Sequence, residues 1–329
     1  MPAGVAALLR LLVCGARLLS GIGHGVMVQL AHACTAKLTP FPERAEALSR
    51  LSLAALLGTG AGPLVAALVR TCGELGVQPQ PRVRSVGPVQ GVLTTGALLT
   101  LLLLFPSIAN AKDRTKVDAS RSVASPDDDC ARRRSLVILC LLSTTLRFFM
   151  LSALEAASPL LLQVSYGWRC QYIGIAASVP FLLCIPARAL YRTLDKQLSI
   201  PSWTRLFMSV AIAGALLLSR APCAALGPPC AWALPAADCL AVPFLYLVDD
   251  VVRGIMHETL PLESDRLDVE HVGLWTSLLT GAAQCAGPWV ARAIVAAANS
   301  GQDAYAAMQL ALAIASAGLL EFGVRPLAP

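Results

Sequence analysis

Long apolar segments run through the whole chain, and they constrain its fold more than any other feature. A helix needs about 20 mainly apolar residues to cross the hydrocarbon core of a bilayer. The alternating polar and apolar residues of membrane β-strands are absent from the sequence. The sequence therefore predicts an all-α membrane protein, a polytopic helical bundle of about nine transmembrane helices. The predicted spans cover residues 11–35, 51–69, 87–110, 135–163, 172–192, 204–220, 233–257, 272–297 and 303–323.

The composition argues against a soluble protein. Of the 329 residues, 56% are hydrophobic and 14% are charged, and the mean hydropathy is +0.65. Soluble domains carry about 25% charged residues, and a soluble fold of this length needs far more polar surface. We therefore expect an integral membrane protein in contact with the lipid bilayer, and no nucleic acid as partner.

The sequence gives no sign of an enzyme, a cofactor or a metal site. None of the usual catalytic or nucleotide-binding motifs occurs, and the 11 cysteines have neither CxxC nor Cys/His metal spacing. Most cysteines lie in apolar runs, where a free thiol behaves as a small hydrophobic group. We expect no enzyme activity, no cofactor and no metal.

The basic residues predict the topology. Most of the 26 Lys and Arg residues fall in loops on one side if the N-terminus lies outside. Because Lys and Arg concentrate in cytoplasmic loops, we expect an external N-terminus and a cytoplasmic C-terminus. The sequence does not distinguish the plasma membrane from an organelle membrane.

The chain divides into two sets of spans around one polar stretch. We predict a partial N-terminal helical half of three spans, a flexible cytoplasmic linker, a C-terminal six-helix half and a cytoplasmic tail. These regions cover residues 1–110, 111–134, 135–323 and 324–329, respectively.

A short internal repeat links the two sets. Residues 37–44 and 258–266 are similar, and each segment precedes a span that contains Gly-Pro, at Gly62-Pro63 and at Gly287-Pro288. Halves built from the same unit are a known transporter architecture.

Several charged residues lie inside the predicted spans, where a charge is costly and usually marks a functional site. Arg147 and Glu155 share one span but lie eight residues apart, about 12 Å along a helix, so each needs a partner elsewhere. Glu155 precedes Pro159, where the backbone can open onto a cavity. A carboxyl group in a partly dry site can take up and release a proton near neutral pH. Glu155 is thus our leading candidate for a proton or cation site; the alternative is a structural ion pair with Arg147 or with Arg17.

Other candidates for coupling or for the substrate pathway are Arg17, His24, Arg147 and Asp238. His24 can titrate near physiological pH, and Asp238 is the counterpart of Arg17 in the repeat. Asp249 and Arg253 have i,i+4 spacing, which predicts a salt bridge on the surface of a helix.

The first two spans and the loop between them carry three motifs: Arg17-x-x-x-Gly21-x-Gly23-x-Gly25, the TPxxER loop at 39–44 and the span with Gly58, Gly60, Gly62 and Pro63. In these motifs the chain resembles the major facilitator superfamily. In that family an arginine in this position takes part in proton or substrate coupling, and the Gly-Pro helix bends or gates. The alternative is that Arg17 reaches an interface and that the Gly-Pro pair only kinks a packed helix.

The resemblance extends along most of the chain. It implies that the spans correspond to the family's fourth to twelfth, so that the first three are expected to be missing. The loop ARALYRTLDKQ resembles the family's inter-helix loop, which implies a cytoplasmic latch of Arg188, Arg192, Asp195 and Lys196. Like Gly62 and Pro63, Gly287 and Pro288 are expected to pack helices together or to take part in gating.

These features together predict a secondary active transporter of a small solute, working by alternating access and coupled to protons. The alternative is a non-transporting, degenerate or truncated member of the family with a scaffold or receptor role in the membrane. A membrane-embedded enzyme is a weaker option, because it needs a paired catalytic set that the sequence lacks.

Overall fold

A computed structural model gives the fold, and within its described residues every regular element is a helix. The seven helices are α1 (Phe41–Leu75), α2 (Asp127–Val164), α3 (Cys170–Leu194), α4 (Ile200–Leu217), α5 (Ala233–Thr259), α6 (Val269–Ala297) and α7 (Gly301–Gly318). A π-helical turn, Leu319–Val324, continues α7. The structure describes residues 31, 34–35, 39, 41–75, 95–96, 127–194, 199–221, 231–259, 269–297 and 301–324.

The second predicted span and the last six each coincide with a helix. The first and third spans, 11–35 and 87–110, lie almost wholly outside the described residues, as do Arg17, His24 and the glycines of the first span. Five helical segments are long and apolar enough to cross a bilayer: Arg50–Val69, Arg132–Val164, Cys170–Leu194, Ile200–Leu217 and Gly301–Gly323. The protein is an all-α integral membrane bundle.

The polar linker is shorter than its composition predicts. Residues 111–134 were expected to be irregular, but α2 begins at Asp127 and includes the last eight of them. Arginine is a good helix former, and the exposed run Arg132–Arg134 extends an apolar helix that has already nucleated. Residues 111–126 lie outside the described part.

A tight turn reverses the chain between α2 and α3. Gly167 has a φ of 66°, a left-handed conformation that glycine adopts without steric cost. The amide of Trp168 donates to the carbonyl of Leu162 at 3.0 Å and so closes the end of α2. The YGW sequence therefore marks one end of the bundle, where Trp168 packs edge-on against Trp232 with ring centroids 4.8 Å apart.

The two ends of the bundle differ in their number of arginines among the described residues. We call the end at which α3 and α5 finish the basic end; Arg188, Arg192 and Arg253 lie near it, as do Arg50 and Arg205. The end with Gly167 and Trp168 is the opposite end. By the positive-inside rule the basic end is predicted to be cytoplasmic.

Two apolar cores hold the helices together. One centres on α2, α3 and α5, with Leu154, Phe181 and Leu245 among its buried members. The other lies nearer the basic end and contains the aromatic contact of Trp203 with Phe207, with centroids 5.2 Å apart. Large apolar side chains also remain exposed along the outside, including Leu278 on α6 and Ile314 on α7. Such a surface is stable in contact with lipid.

Candidate functional site

The described helices enclose a cavity of about 630 Å³ on the side of the opposite end. Helices α1, α2, α3 and α5 form its walls, and it extends as far as Cys170, the first residue of α3. We call it the acidic cavity. Its lining consists of Thr59, Pro63, Ala66, Ala67, Leu154, Glu155, Pro159, Cys170, Ile173, Gly174, Ala177, Pro180, Phe181, Asp238 and Val242.

A second cavity of about 480 Å³ adjoins the first and lies between α1, α2, α5 and α6. Thr59 and Glu155 line both cavities, so the Glu155 side chain lies where the two meet. We call the second one the polar cavity. Its lining consists of Thr59, Ser152, Glu155, Ala156, Tyr246, Gln284 and Pro288.

Glu155 faces these cavities without a salt bridge. The side chain is exposed, and neither an ion pair nor a hydrogen bond joins it to another described residue. The alternative pairing with Arg147 is not formed, because Arg147 lies against Asp249 instead. A pairing with Arg17 falls outside the described residues. Among the described residues, Glu155 is thus an acidic group open to a ligand or to water.

Asp238 provides a second carboxyl group in the acidic cavity. It is 8% exposed, and its Oδ1 accepts a hydrogen bond of 3.0 Å from the hydroxyl of Ser158. Ser158 lies on α2, three residues after Glu155, and Asp238 lies on the second turn of α5. The fold therefore brings Glu155 and Asp238, two of the residues singled out in the sequence, to one cavity.

Arg147 belongs to a buried charge cluster between this site and the basic end. Its side chain is fully buried; Nε donates to the carbonyl of Ser143 at 3.1 Å and Nη2 donates to Thr144 Oγ1 at 3.0 Å. Nη2 also lies 3.4 Å from Oδ1 of Asp249. Arg147 therefore does not line either cavity within the described residues, and its counter-charge comes from α5.

The predicted pair of Asp249 and Arg253 is present, but it is not a surface pair. Arg253 Nε donates to Asp249 Oδ2 at 2.6 Å, and the Asp249 side chain is only 8% exposed. The correction follows from packing, because α2 covers this face of α5 and places Arg147 beside the carboxylate. The guanidinium of Arg253 also lies over the ring of Phe148, 5.6 Å from its centroid.

Two of the predicted latch residues carry ion pairs at the basic end. Arg188 on α3 forms a charged hydrogen bond with Asp250 on α5, and both groups are largely buried. Arg192 lies 4.0 Å from Glu46 on α1, which also pairs with Arg50 at 2.7 Å. Glu46 was not among the predicted residues, although an acidic residue near the start of a helix, opposite a basic loop, is a usable signal. Asp195 and Lys196 lie outside the described residues.

Small residues allow close approach at some of the predicted positions but not at all of them. A Cβ on Gly287 of α6 would clash with Ser152 Oγ and lie 2.8 Å from the carbonyl of Phe149, so this glycine packs against α2. On α1 the close contact falls at Gly60, where a Cβ would lie 2.8 Å from the Cβ of Phe181. At Gly58 and Gly62 a Cβ would meet no atom of the described residues within 4 Å.

The two Gly-Pro prolines line different cavities. Pro63 lies in the wall of the acidic cavity and Pro288 in that of the polar cavity. Proline removes a backbone hydrogen bond from a helix and favours a bend. A gating role for these positions stays a prediction.

Several polar residues of the site were not predicted from the sequence: Thr59, Ser158, Tyr246 and Gln284. Single polar residues in apolar spans are weak signals, because hydroxyls often bond their own helix, as Thr59 does to the carbonyl of Ala55. The i,i+4 spacing of Thr59 and Pro63 is the one signal that places them on a common helix face.

In the described part of the chain, no group of three or more His, Cys, Asp or Glu residues could hold a metal ion.

Comparison with known proteins identifies one family. The family model of the Major Facilitator Superfamily matches residues 2–256, which is most of the chain. No curated protein and no solved structure is detectably similar to this chain.

Proposed function

Because the chain belongs to the Major Facilitator Superfamily, whose members are transporters, we propose that it moves a small solute by proton-coupled alternating access. In this proposal the solute occupies the acidic cavity and Glu155 carries the coupled proton. The observation that carries the proposal is the position of Glu155, a membrane-embedded carboxyl group at the junction of two cavities and without an ion pair to any described residue.

The distribution of cavities and ion pairs supports alternating access. The acidic cavity reaches toward the opposite end, whereas ion pairs bind α1 to α3 and α3 to α5 at the basic end. This is the arrangement expected of one of the two states between which an alternating-access transporter moves. Charged hydrogen bonds between helices can form in one state and break in the other, because each costs only a few kcal/mol, roughly 1.5–3, to lose.

The chemistry of Glu155 supports proton coupling. A carboxyl group can bind and release a proton, and this one faces both cavities without an ion pair to any described residue. Glu155 alternates between a charged and a neutral form only if its cavity becomes accessible to water in turn from each side. Protonation then shifts the equilibrium between the two states, because the charged and the neutral side chain interact differently with their surroundings in each state.

Uptake by reconstituted protein tests the proposal without assuming a substrate. Proteoliposomes are loaded from a mixture of small metabolites with and without an imposed pH gradient, and their contents are compared by mass spectrometry. We expect at least one solute to accumulate only with the gradient. Glu155→Gln should lose this accumulation but still equilibrate the same solute, because the neutral side chain fills the same space without carrying a proton.

Glu321→Gln is the matched control. Glu321 lies at the basic end, where Arg205 Nε donates to it at 2.9 Å, and it lines neither cavity. The Glu321→Gln variant should accumulate the solute as the wild type does. Accumulation that ignores the pH gradient, or that survives Glu155→Gln, would exclude the proton-coupled mechanism; no accumulation of any solute would favour a non-transporting role.

A further inference from the structure

We propose that the acidic cavity binds a lipophilic organic cation, with the positive centre held between Glu155 and Asp238. The cation is an amine, ammonium or phosphonium with apolar substituents. The inference rests on the proposed function only in that it takes this cavity as the solute site. It adds the chemical class of the solute.

The charge of the lining favours a cation. Two carboxyl groups, Glu155 and Asp238, reach this cavity, and no Lys, Arg or His is among its described lining residues. The nearest basic side chain on α2, Arg147, is already committed to Asp249. Neither carboxyl group has an ion-pair partner among the described residues, so a positive charge that enters the cavity meets two carboxylates that no other charge neutralises. An anionic ligand would add a like charge instead.

The rest of the lining favours apolar substituents on that cation. Helices α1, α3 and α5 contribute Ala67, Ile173 and Val242, among other apolar side chains. A volume of about 630 Å³ lies in the usual range for sites that enclose a small organic ligand. A small, strongly hydrated metal ion would leave these walls without contacts.

Aromatic side chains add a third argument. Phe181 lines the acidic cavity and Tyr246 lines the polar cavity, and their ring centroids are 6.3 Å apart. Ring faces attract ammonium and phosphonium groups within about 6 Å. The two rings pack against each other, one beside each of the cavities that share Glu155.

Binding of two ions of similar shape and opposite charge tests the proposal. Tetraphenylphosphonium and tetraphenylborate are titrated against the purified full-length protein in detergent, with empty micelles as the baseline. We expect the cation to bind at least about tenfold more tightly than the anion, which corresponds to about 1.4 kcal/mol. Equal binding, or tighter binding of tetraphenylborate, would overturn the proposal.

Charge-neutralising variants assign the binding to the cavity. Glu155→Gln and Asp238→Asn should each weaken tetraphenylphosphonium binding about tenfold, and Glu321→Gln should leave it unchanged. Neither cavity variant should weaken tetraphenylborate binding, so loss of the fold cannot produce the same pattern. Wild-type affinity of Glu155→Gln for the cation would contradict the proposal.

Cys170 reports the location of the bound cation. Its thiol is free and exposed, and it lines the acidic cavity. Tetraphenylphosphonium should slow the alkylation of Cys170 by N-ethylmaleimide, followed by peptide mass spectrometry. The exposed thiol of Cys285 on α6, which lines neither cavity, is the internal control and should react at the same rate with and without the cation. Equal rates at Cys170 with and without the cation would place the ligand elsewhere.

The two proposals can fail separately. If gradient-driven uptake selects a neutral or anionic solute, and tetraphenylphosphonium does not bind, the chain is a proton-coupled transporter and the cation inference is wrong. If the cation binds as expected but no solute accumulates, the site is correct and the transport mechanism is wrong.

Discussion

Arg147 is a fully buried arginine near the middle of α2. The free-energy cost of burying its charge depends on the groups around it. Arg147 lies 3.4 Å from Asp249, whose other oxygen accepts from Arg253 at 2.6 Å. Nη1 of Arg147 has no hydrogen-bond partner among the described residues. The cluster is a three-residue network in which each charge depends on the others.

Replacing Arg147 should therefore destabilise the protein. Arg147→Met leaves Asp249 buried with one arginine instead of two, and removing one partner of a buried ion pair costs about 3–5 kcal/mol. We expect a clear drop in the midpoint of thermal unfolding in detergent. The double variant Arg147→Met/Asp249→Asn should recover part of the loss, because it removes the buried charge as well.

Arg205→Met is the matched control for this variant. Arg205 also pairs with a carboxylate, Glu321, but its side chain is 54% exposed, and exposed pairs contribute about 0–1 kcal/mol. An unfolding midpoint of Arg147→Met no lower than that of Arg205→Met would show that the buried cluster does not stabilise the fold.

The embedded charges could be predicted from the sequence, but most of their partners could not. Arg147, Glu155 and Asp238 stand out because charges inside apolar spans are costly. Which of them meet depends on the rotation and axial shift of neighbouring helices, and these are set by packing across the whole interface. For this reason the eight-residue separation argued against a direct pair of Arg147 with Glu155 in one straight helix but did not identify Asp249.

At the scale of helices, close contacts depend on single glycines whose positions follow from the same packing. On α6, Gly287 lies against the backbone of α2, whereas a Cβ on Gly281 would meet nothing within 4 Å among the described residues. Both are helical glycines in one apolar span. Sequence reasoning singled out the Gly-Pro position but had no means of separating it from the other glycines of the helix.

This difference predicts opposite effects of the same substitution. Gly287→Ala forces α6 away from Phe149 and Ser152 on α2, and overpacking of this kind costs about 1–3 kcal/mol. Gly281→Ala meets no such obstacle and gains up to about 1 kcal/mol of helix propensity. The unfolding midpoint should fall for Gly287→Ala and stay level or rise for Gly281→Ala. A fall of equal size in both would contradict the close contact of α6 with α2.

Helices α1 and α3, which belong to different predicted halves, also approach closely at glycines. Gly60 on α1 faces Phe181, and a Cβ on Gly174 of α3 would lie 3.0 Å from the carbonyl of Pro63. These contacts lie beside the acidic cavity, which Pro63, Gly174 and Phe181 also line. The helices that would move apart in transport are thus in direct contact beside the proposed solute site.

At the scale of the whole molecule, the sequence predicted a helical membrane bundle with two sets of spans, because span length and apolarity are local properties. It could not predict which end of the bundle carries ion pairs between helices. The two ion pairs join Arg192 to Glu46 and Arg188 to Asp250, which lie far apart in the chain. The ion pairs at the basic end and the cavity toward the opposite end are properties of the assembled helices.

The distance between α1 and α3 at the basic end tests alternating access most directly. Spectroscopic labels on unnatural amino acids at the exposed positions Ala54 and Leu190 leave the 11 cysteines and the Arg192–Glu46 pair intact. In lipid bilayers we predict two distance populations, a short one for the closed basic end and a longer one for the open state. Glu155→Gln should change their ratio. A single short distance in both the wild type and Glu155→Gln would contradict the account.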